Sequence, residues 1–180
     1  EVISVDPDSI TYYQLEIPPN TPLFRALHKQ EVAVPVGWDV KRARLAEAFT
    51  ALEAEGYSLR SAYAAVRDST KHRFLYQELQ YRGADLIGSG LASFSYVAGT
   101  HYQNVASLRE YHERLASGRL PYHRGYILSA EDQAVREFIL QLKLGQVATE
   151  SFQHKFGMDI AEQFADPLQR FSDAGWLVVD

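Results

Sequence analysis

The sequence predicts an α/β protein: a strand and a helix first, a small mixed sheet through the middle, and a helical module at the end. Three observations carry this. Ile10, Tyr12, Tyr13, Leu15 and Ile17 make residues 9–17 strand-like, and Pro18-Pro19-Asn20 stops them. Residues 82–104 place Gly83, Gly88, Gly90 and Gly99 among strand-like apolar residues such as Leu86, Ile87, Leu91, Phe94, Tyr96 and Val97. From Ser107 onward, apolar residues recur at helical spacing.

The elements follow in order. Asp39 predicts an N-cap for a helix carrying Val40, Leu45, Ala48, Phe49 and Leu52, with Gly56 as its stop. Tyr57–Val66 alternates like a strand, Asp68–Lys71 reads as a polar turn, and Phe74–Tyr81 and Leu86–Val97 read as further strands. Leu108, Tyr111 and Leu115 define one helix. Ser129 with Asp132 predicts a capping box for a helix buried through Val135, Phe138, Ile139 and Leu142 and ended by Gly145. Thr149 and Asp159 are the next expected caps. Asp166-Pro167 reads as an N-cap with Pro at the first helical position, and Trp176–Val179 as a closing strand. Pro35–Gly37 and Gly118–Gly125 are the candidate boundaries, which divides the chain into residues 1–38, 39–125 and 126–180.

Composition narrows the function. A net charge of −5 over 180 residues argues against a nucleic-acid partner, which wants a basic face. No apolar run approaches the roughly 20 residues that span a bilayer. Residues Glu1–Ser4 lack the basic start of a leader, so a cytoplasmic location is the expectation. The chain has no cysteine, so its own residues form no disulfide, no thiolate zinc site and no thiolate-held iron–sulfur cluster. The six histidines form no H-x-x-x-H pair, so no metal site is expected. Ser93 lacks the glycines of a nucleophile elbow. His101–Asn104 reads as a turn whose Asn104 caps the helix starting near Ser107. The glycines of residues 82–104 lack the third glycine and the downstream acid of a dinucleotide site. They mark either a loosened buried strand or a close approach of backbone to a ligand or to another segment.

The line G-x-D-L-I-G-x-G-x-A-S, followed by Asn104 and the helix Leu108–Leu115, resembles the oxygen-independent coproporphyrinogen III oxidase family of radical S-adenosylmethionine (SAM) proteins. Tyr12–Thr21 (YYQLEIPPNT), Ala54–Tyr63 (AEGYSLRSAY) and Glu137–Gly157 agree in order and spacing. The resemblance covers essentially the whole chain and the C-terminal half of such a protein. It implies that residues 1–38 are the end of a radical SAM barrel and 39–125 a region extending it, while three expected helices followed by a strand make 126–180 a winged-helix-like module. It further implies SAM and a four-iron cluster in the parent protein, neither held by this chain alone, since the three cluster cysteines would lie in an N-terminal barrel half outside this sequence. Its partners would be that barrel half and a tetrapyrrole or similarly large substrate. The expected cofactor-facing residues are Gln14, Leu15 and Glu16, at the end of the barrel strand, and Gly88, Gly90 and Phe94, in the glycine-rich segment. The positions matching Leu15 and Phe94 contact SAM in the oxidases, which carry an aliphatic residue where this chain has Phe94. No catalytic residue is assigned. A radical SAM methyltransferase of the same architecture, a haem chaperone and a non-catalytic interaction domain are the alternatives.

Overall fold

The computed structural model describes residues 2–178 and divides the chain into two units between Phe74 and Leu75. The division falls inside the segment 39–125.

In the first unit a short helix α1 (Val2–Val5) leads into β1 (Ser9–Thr11). Helices α2 (Pro22–His28) and α3 (Trp38–Ala54) follow, then β2 (Ser58–Ser61) and β3 (Ala64–Val66). The strands form an antiparallel sheet in the order β1-β3-β2. Ala64, Ala65 and Val66 of the central strand are fully buried, which small and β-branched side chains allow. Leu52 and Tyr57 pack on Ala65, with Ile3, Ile10 and Phe49 around them.

Three expectations change here. The strand expected over 9–17 stops at Thr11, so the alternation that placed Gln14 and Glu16 on one face is not strand geometry. Tyr12 N–H still donates to Tyr63 O (2.8 Å), but β3 turns back there and offers no further partner. Tyr57–Val66 is a hairpin, because the Ser61 hydroxyl accepts from Tyr63 N–H (3.2 Å) and closes the turn locally. Helix α3 is capped by Gly37, with Asp39 inside its first turn beside the helix dipole. Among the residues expected to form its apolar face, Leu52 is buried while Val40 is exposed. Gly56, at φ +85°, does end this segment, and the Asp68 turn forms with Thr70 N–H on the Asp68 carboxylate (2.9 Å).

The second unit begins with α4 (Leu75–Tyr81), where a strand was expected. Gln77 and Tyr81, one helical turn apart, are buried, and a seven-residue segment with apolar residues at 75, 76, 79 and 81 does not itself separate strand from helix. An antiparallel sheet β4-β5-β6 comprises β4 (Phe94–Val97), β5 (Thr100–Asn104) and β6 (Tyr122–Ile127). Helix α5 (Leu108–Ala116) connects β5 to β6, with Ser107 rather than Asn104 as its N-cap. The chain after Ser107 is therefore not all helical. Every residue of β6 is exposed, so that strand carries no apolar alternation to read. Both sheets are antiparallel, not mixed.

Helix α6 (Ala130–Leu142) starts with the expected reciprocal capping box: Ser129 Oγ accepts from Asp132 N–H (3.0 Å) and Asp132 accepts from Ser129 N–H (3.3 Å). Ser129→Ala is expected to cost about 1 kcal/mol of stability, measured as a lower urea midpoint with unchanged slope. The core of this unit is Ala134, Phe138, Phe152 and Ile160, and the Phe138 ring stacks parallel on Phe164 at 5.3 Å. Phe138 is core as expected, while Ile139 and Leu142 are largely exposed and line a groove on the same helix.

Glu137 is buried yet ionisable. Its carboxylate accepts from Lys155 Nζ (2.5 Å) and Gln141 Nε2 (3.1 Å), and it occupies the space where a side chain at Gly83 would begin. Helices α7 (Glu150–Phe156), α8 (Ile160–Gln163) and α9 (Ala165–Asp173) complete the unit. Asp159 caps α8 as expected, accepting from Glu162 N–H (3.0 Å), whereas Thr149 precedes α7 without a side-chain cap. Phe164 is the N-cap of α9, so Asp166-Pro167 sits inside its first turn, where a missing N–H leaves no intrahelical bond unmade. Trp176–Val178 are not in a strand, and Val179 lies outside the described residues. No described helix is long and apolar enough to cross a membrane.

Candidate functional site

The glycine-rich segment is a loop rather than one long strand, and its own hydrogen bonds explain why. Leu86 and Tyr96 exchange two backbone bonds (2.7 and 2.8 Å), after which residues 87–93 fold back against the sheet. Asn104, buried on β5, donates from Nδ2 to Gly90 O (3.0 Å) and Gly88 O (3.2 Å). Gly88 N–H donates to Ser95 Oγ (2.9 Å), and Gly90 N–H to the Tyr111 hydroxyl (3.2 Å). Gln103 Nε2 and Val105 O secure Ala92 at 3.0 Å each. The backbone at Gly88, Gly90 and Ala92 is thus bonded from within, while Ile87 (78% exposed) and Phe94 (60% exposed) point outward.

Each glycine has a different reason. A Cβ on Gly88 would collide with the Phe94 carbonyl oxygen, so the close neighbour there is this chain's own backbone. Gly90 adopts φ +98°, a conformation other residues rarely take, with space around it.

Gln14 and Leu15 border a separate cavity of about 410 Å³, the wall being Tyr12, Tyr13, Gln14, Leu15, Pro35, Val36, Lys41 and Arg44. Gln14 is half-buried, Leu15 and Glu16 are exposed, and Glu16 is not part of that wall. The expected residues therefore fall into two groups, one in each unit. Asn104, Lys41 and Arg44 were not anticipated. Their signals were the second of two adjacent amides, Gln103-Asn104, after a histidine-aromatic pair, and two cations three residues apart on one helix face.

A third cluster lies where α6 meets the sheet. The Arg136 guanidinium covers the Tyr96 ring at 3.7 Å and donates from Nε to His101 Nε2 (3.1 Å). Burial first, and then the Arg136 charge, push the His101 pKa below its ordinary value, against a hydrogen bond to the Ser95 backbone that raises it. Folding therefore binds the His101 proton less tightly than the unfolded chain does. The stability this confers is complete above the unfolded histidine value near pH 6.5 and is lost as pH falls through the lower folded value. Wild type is expected to lose more urea-midpoint stability between pH 7 and pH 5 than His101→Gln, whose amide can still accept from Arg136.

Several known proteins are similar to this chain. Residues 128–180 match the HemN C-terminal domain. The haem chaperone HemW of Bacillus subtilis (strain 168) is 24% identical over 178 residues, covering 96% of this chain and 45% of that protein. The oxygen-independent coproporphyrinogen III oxidase of Helicobacter pylori (strain ATCC 700392 / 26695) is 30% identical over 95 residues, covering 51% of this chain and 21% of that protein. The solved structure of coproporphyrinogen III oxidase (HemN) from Escherichia coli, a radical SAM enzyme, aligns with a TM-score of 0.68 at 21% identity, over 99% of this chain and 44% of that one. The chain spans less than half the length of each of these relatives. The α/β fold with its small antiparallel sheets and C-terminal helices is accordingly like that of the HemN C-terminal region: residues 128–180 match the HemN C-terminal domain, and the chain is similar in sequence to the haem chaperone HemW and the oxygen-independent coproporphyrinogen III oxidases.

Proposed function

We propose that this chain is the C-terminal, substrate-facing part of a HemN-like radical SAM protein acting on a tetrapyrrole or a similarly large molecule. On this reading residues 1–38 complete a barrel, 39–125 extend it and 126–180 form a winged-helix-like module. SAM bound at a four-iron cluster supplies radical chemistry in such proteins. These 180 residues include no cysteine and do not fit the cluster, so it would be held by an N-terminal half. The observation that carries the reading is the loop at 87–93. Its backbone is held by Asn104, Ser95 and Tyr111 while Ile87 and Phe94 face outward. A loop so held keeps its shape when a ligand arrives, and its outward apolar groups can shed water against a large ring system. Gly88, Gly90 and Phe94 belong to that wall. Gln14, Leu15 and Glu16 form the second ligand-facing segment, through backbone and the Gln14 amide.

The test is anaerobic reconstitution of the parent protein with iron and sulfide, followed by coproporphyrinogen III and SAM. Tetrapyrrole binding with formation of 5′-deoxyadenosine is expected; absence of tetrapyrrole binding overturns the reading. Reconstituting the isolated 180 residues in parallel is expected to give no cluster charge-transfer absorbance. HemW similarity along nearly the whole chain favours a second reading, a haem chaperone. A Soret shift on haem titration without porphyrinogen turnover would select it. S-adenosylhomocysteine as a product would select a methyltransferase.

A further inference from the structure

We propose that the cavity between residues 12–15 and the first turns of α3 is a carboxylate-binding site, with Arg44 and Lys41 as its anchors. The inference rests on the reading of residues 14–16 as ligand-facing and adds to it the groups that would select the ligand.

The wall of this cavity has an unusual balance of charge for an acidic protein. Lys41 and Arg44 contribute two cations, Tyr12, Tyr13 and Gln14 contribute hydroxyl and amide groups, and Leu15, Pro35 and Val36 are apolar. No aspartate or glutamate lines it, although the chain carries 23 acids against 18 Lys and Arg. Residues three apart on a helix share a face, so α3 presents both cations to the same opening.

Their states differ. Lys41 Nζ is already positioned: it donates to Leu15 O (2.6 Å) and lies 4.6 Å from the centre of the Trp38 ring. An ammonium has three donors, so this fixed lysine keeps donors to spare. Arg44 is exposed and, among the described residues, no carboxylate or carbonyl engages its guanidinium. A guanidinium offers parallel N–H groups at the spacing of the two carboxylate oxygens, a match that a lysine lacks. Arg44 is thus suited to hold the carboxylate in a bidentate pair, with Lys41 as a supporting charge. The body of the ligand would rest on Leu15, Pro35 and Val36, beside the two tyrosines. A cavity holding a few hundred Å³ accepts one arm of a large molecule or the amino-acid end of a small one. The shared chemistry is an organic carboxylate, which a tetrapyrrole side chain and the methionyl end of SAM both carry.

Isothermal titration of the parent protein with coproporphyrin III, its tetramethyl ester, SAM and inorganic phosphate separates the sources. The expected result is binding of one carboxylate ligand that weakens at least tenfold in Arg44→Gln. Arg44→Lys should restore less than half of the lost binding free energy, because charge returns without the fork. If coproporphyrin is the source, its ester should bind as weakly to wild type as the free acid binds to Arg44→Gln. If SAM is, Arg44→Gln should leave both porphyrin affinities unchanged. Arg44 is exposed on a helix surface, so the variant should keep the wild-type melting temperature, and that is checked first. Equal affinity of wild type and Arg44→Gln for coproporphyrin, SAM and phosphate overturns the site. So does phosphate competing as well as either carboxylate, which would mark the cavity as a general anion trap. Tetrapyrrole binding and SAM cleavage that persist in an Arg44→Gln protein with unchanged affinities would sink this site and leave the proposed function standing. Arg44-dependent carboxylate binding by a parent that cleaves no SAM would do the reverse.

Discussion

Phe138→Ala should lower stability by about 3–5 kcal/mol, the largest effect expected of any single substitution in this chain. The ring is buried, stacks parallel on Phe164 at 5.3 Å and meets Phe152 edge-on at 6.1 Å. Truncation removes the transfer energy of the ring and leaves a cavity that the stacked neighbours cannot fill without moving helices. Fully buried Phe152 and Ile160 share this cluster, so relaxation from their side is limited. Urea unfolding followed by far-ultraviolet circular dichroism checks it. An unchanged midpoint would mean that the ring contributes nothing to packing. Leu142→Ala, on the exposed edge of the same helix, should cost clearly less.

Gly88→Ala is expected to be the next most disruptive, at about 1–3 kcal/mol. The added methyl would collide with the Phe94 carbonyl oxygen and sit 2.9 Å from Ser93 Cβ. Neither neighbour is the free end of a flexible side chain, so the backbone itself has to give. That shift would pull Gly88 N–H from Ser95 and its carbonyl from Asn104, the bonds that hold the loop. On the proposed function, stability and SAM-dependent turnover of the parent should fall together. Gly90→Ala separates the terms: its methyl finds room, with Ser93 Oγ at 3.6 Å, and the cost is backbone strain at φ +98°. A Gly88→Ala protein with wild-type melting temperature and full turnover would return the loop to an ordinary connection.

Elements with a local chemical signature were legible in the sequence. The capping box at Ser129, the Asp159 cap and the polar turn at Asp68 need only a few neighbouring side chains, and all three form. Elements whose identity depends on distant partners were not. Leu75–Tyr81 became a helix because tertiary packing buries Gln77 and Tyr81. The segment 12–17 lost its strand because β3 turns away after three residues. β6 escaped notice since both of its faces are exposed. The glycines of 83–99 did flag close approach, yet which atoms approach is a three-dimensional fact: at Gly88 they belong to Phe94, and at Gly83 to Glu137. Asn104 was the least legible, because an asparagine before a helix has a cheaper local explanation than clamping two carbonyls across a sheet.

The space vacated at Gly83 has an evolutionary consequence. Its missing side chain admits the Glu137 carboxylate, which in turn neutralises Lys155 and accepts from Gln141. Change at one of these positions alone either displaces a buried charge or strands it without a partner. Tolerated variation should therefore arrive jointly, with a larger residue at 83 accompanied by a shorter or uncharged one at 137 and loss of the cation at 155. Across a set of descendants these three sites would inherit as one character, while their exposed neighbour Arg82 drifts freely.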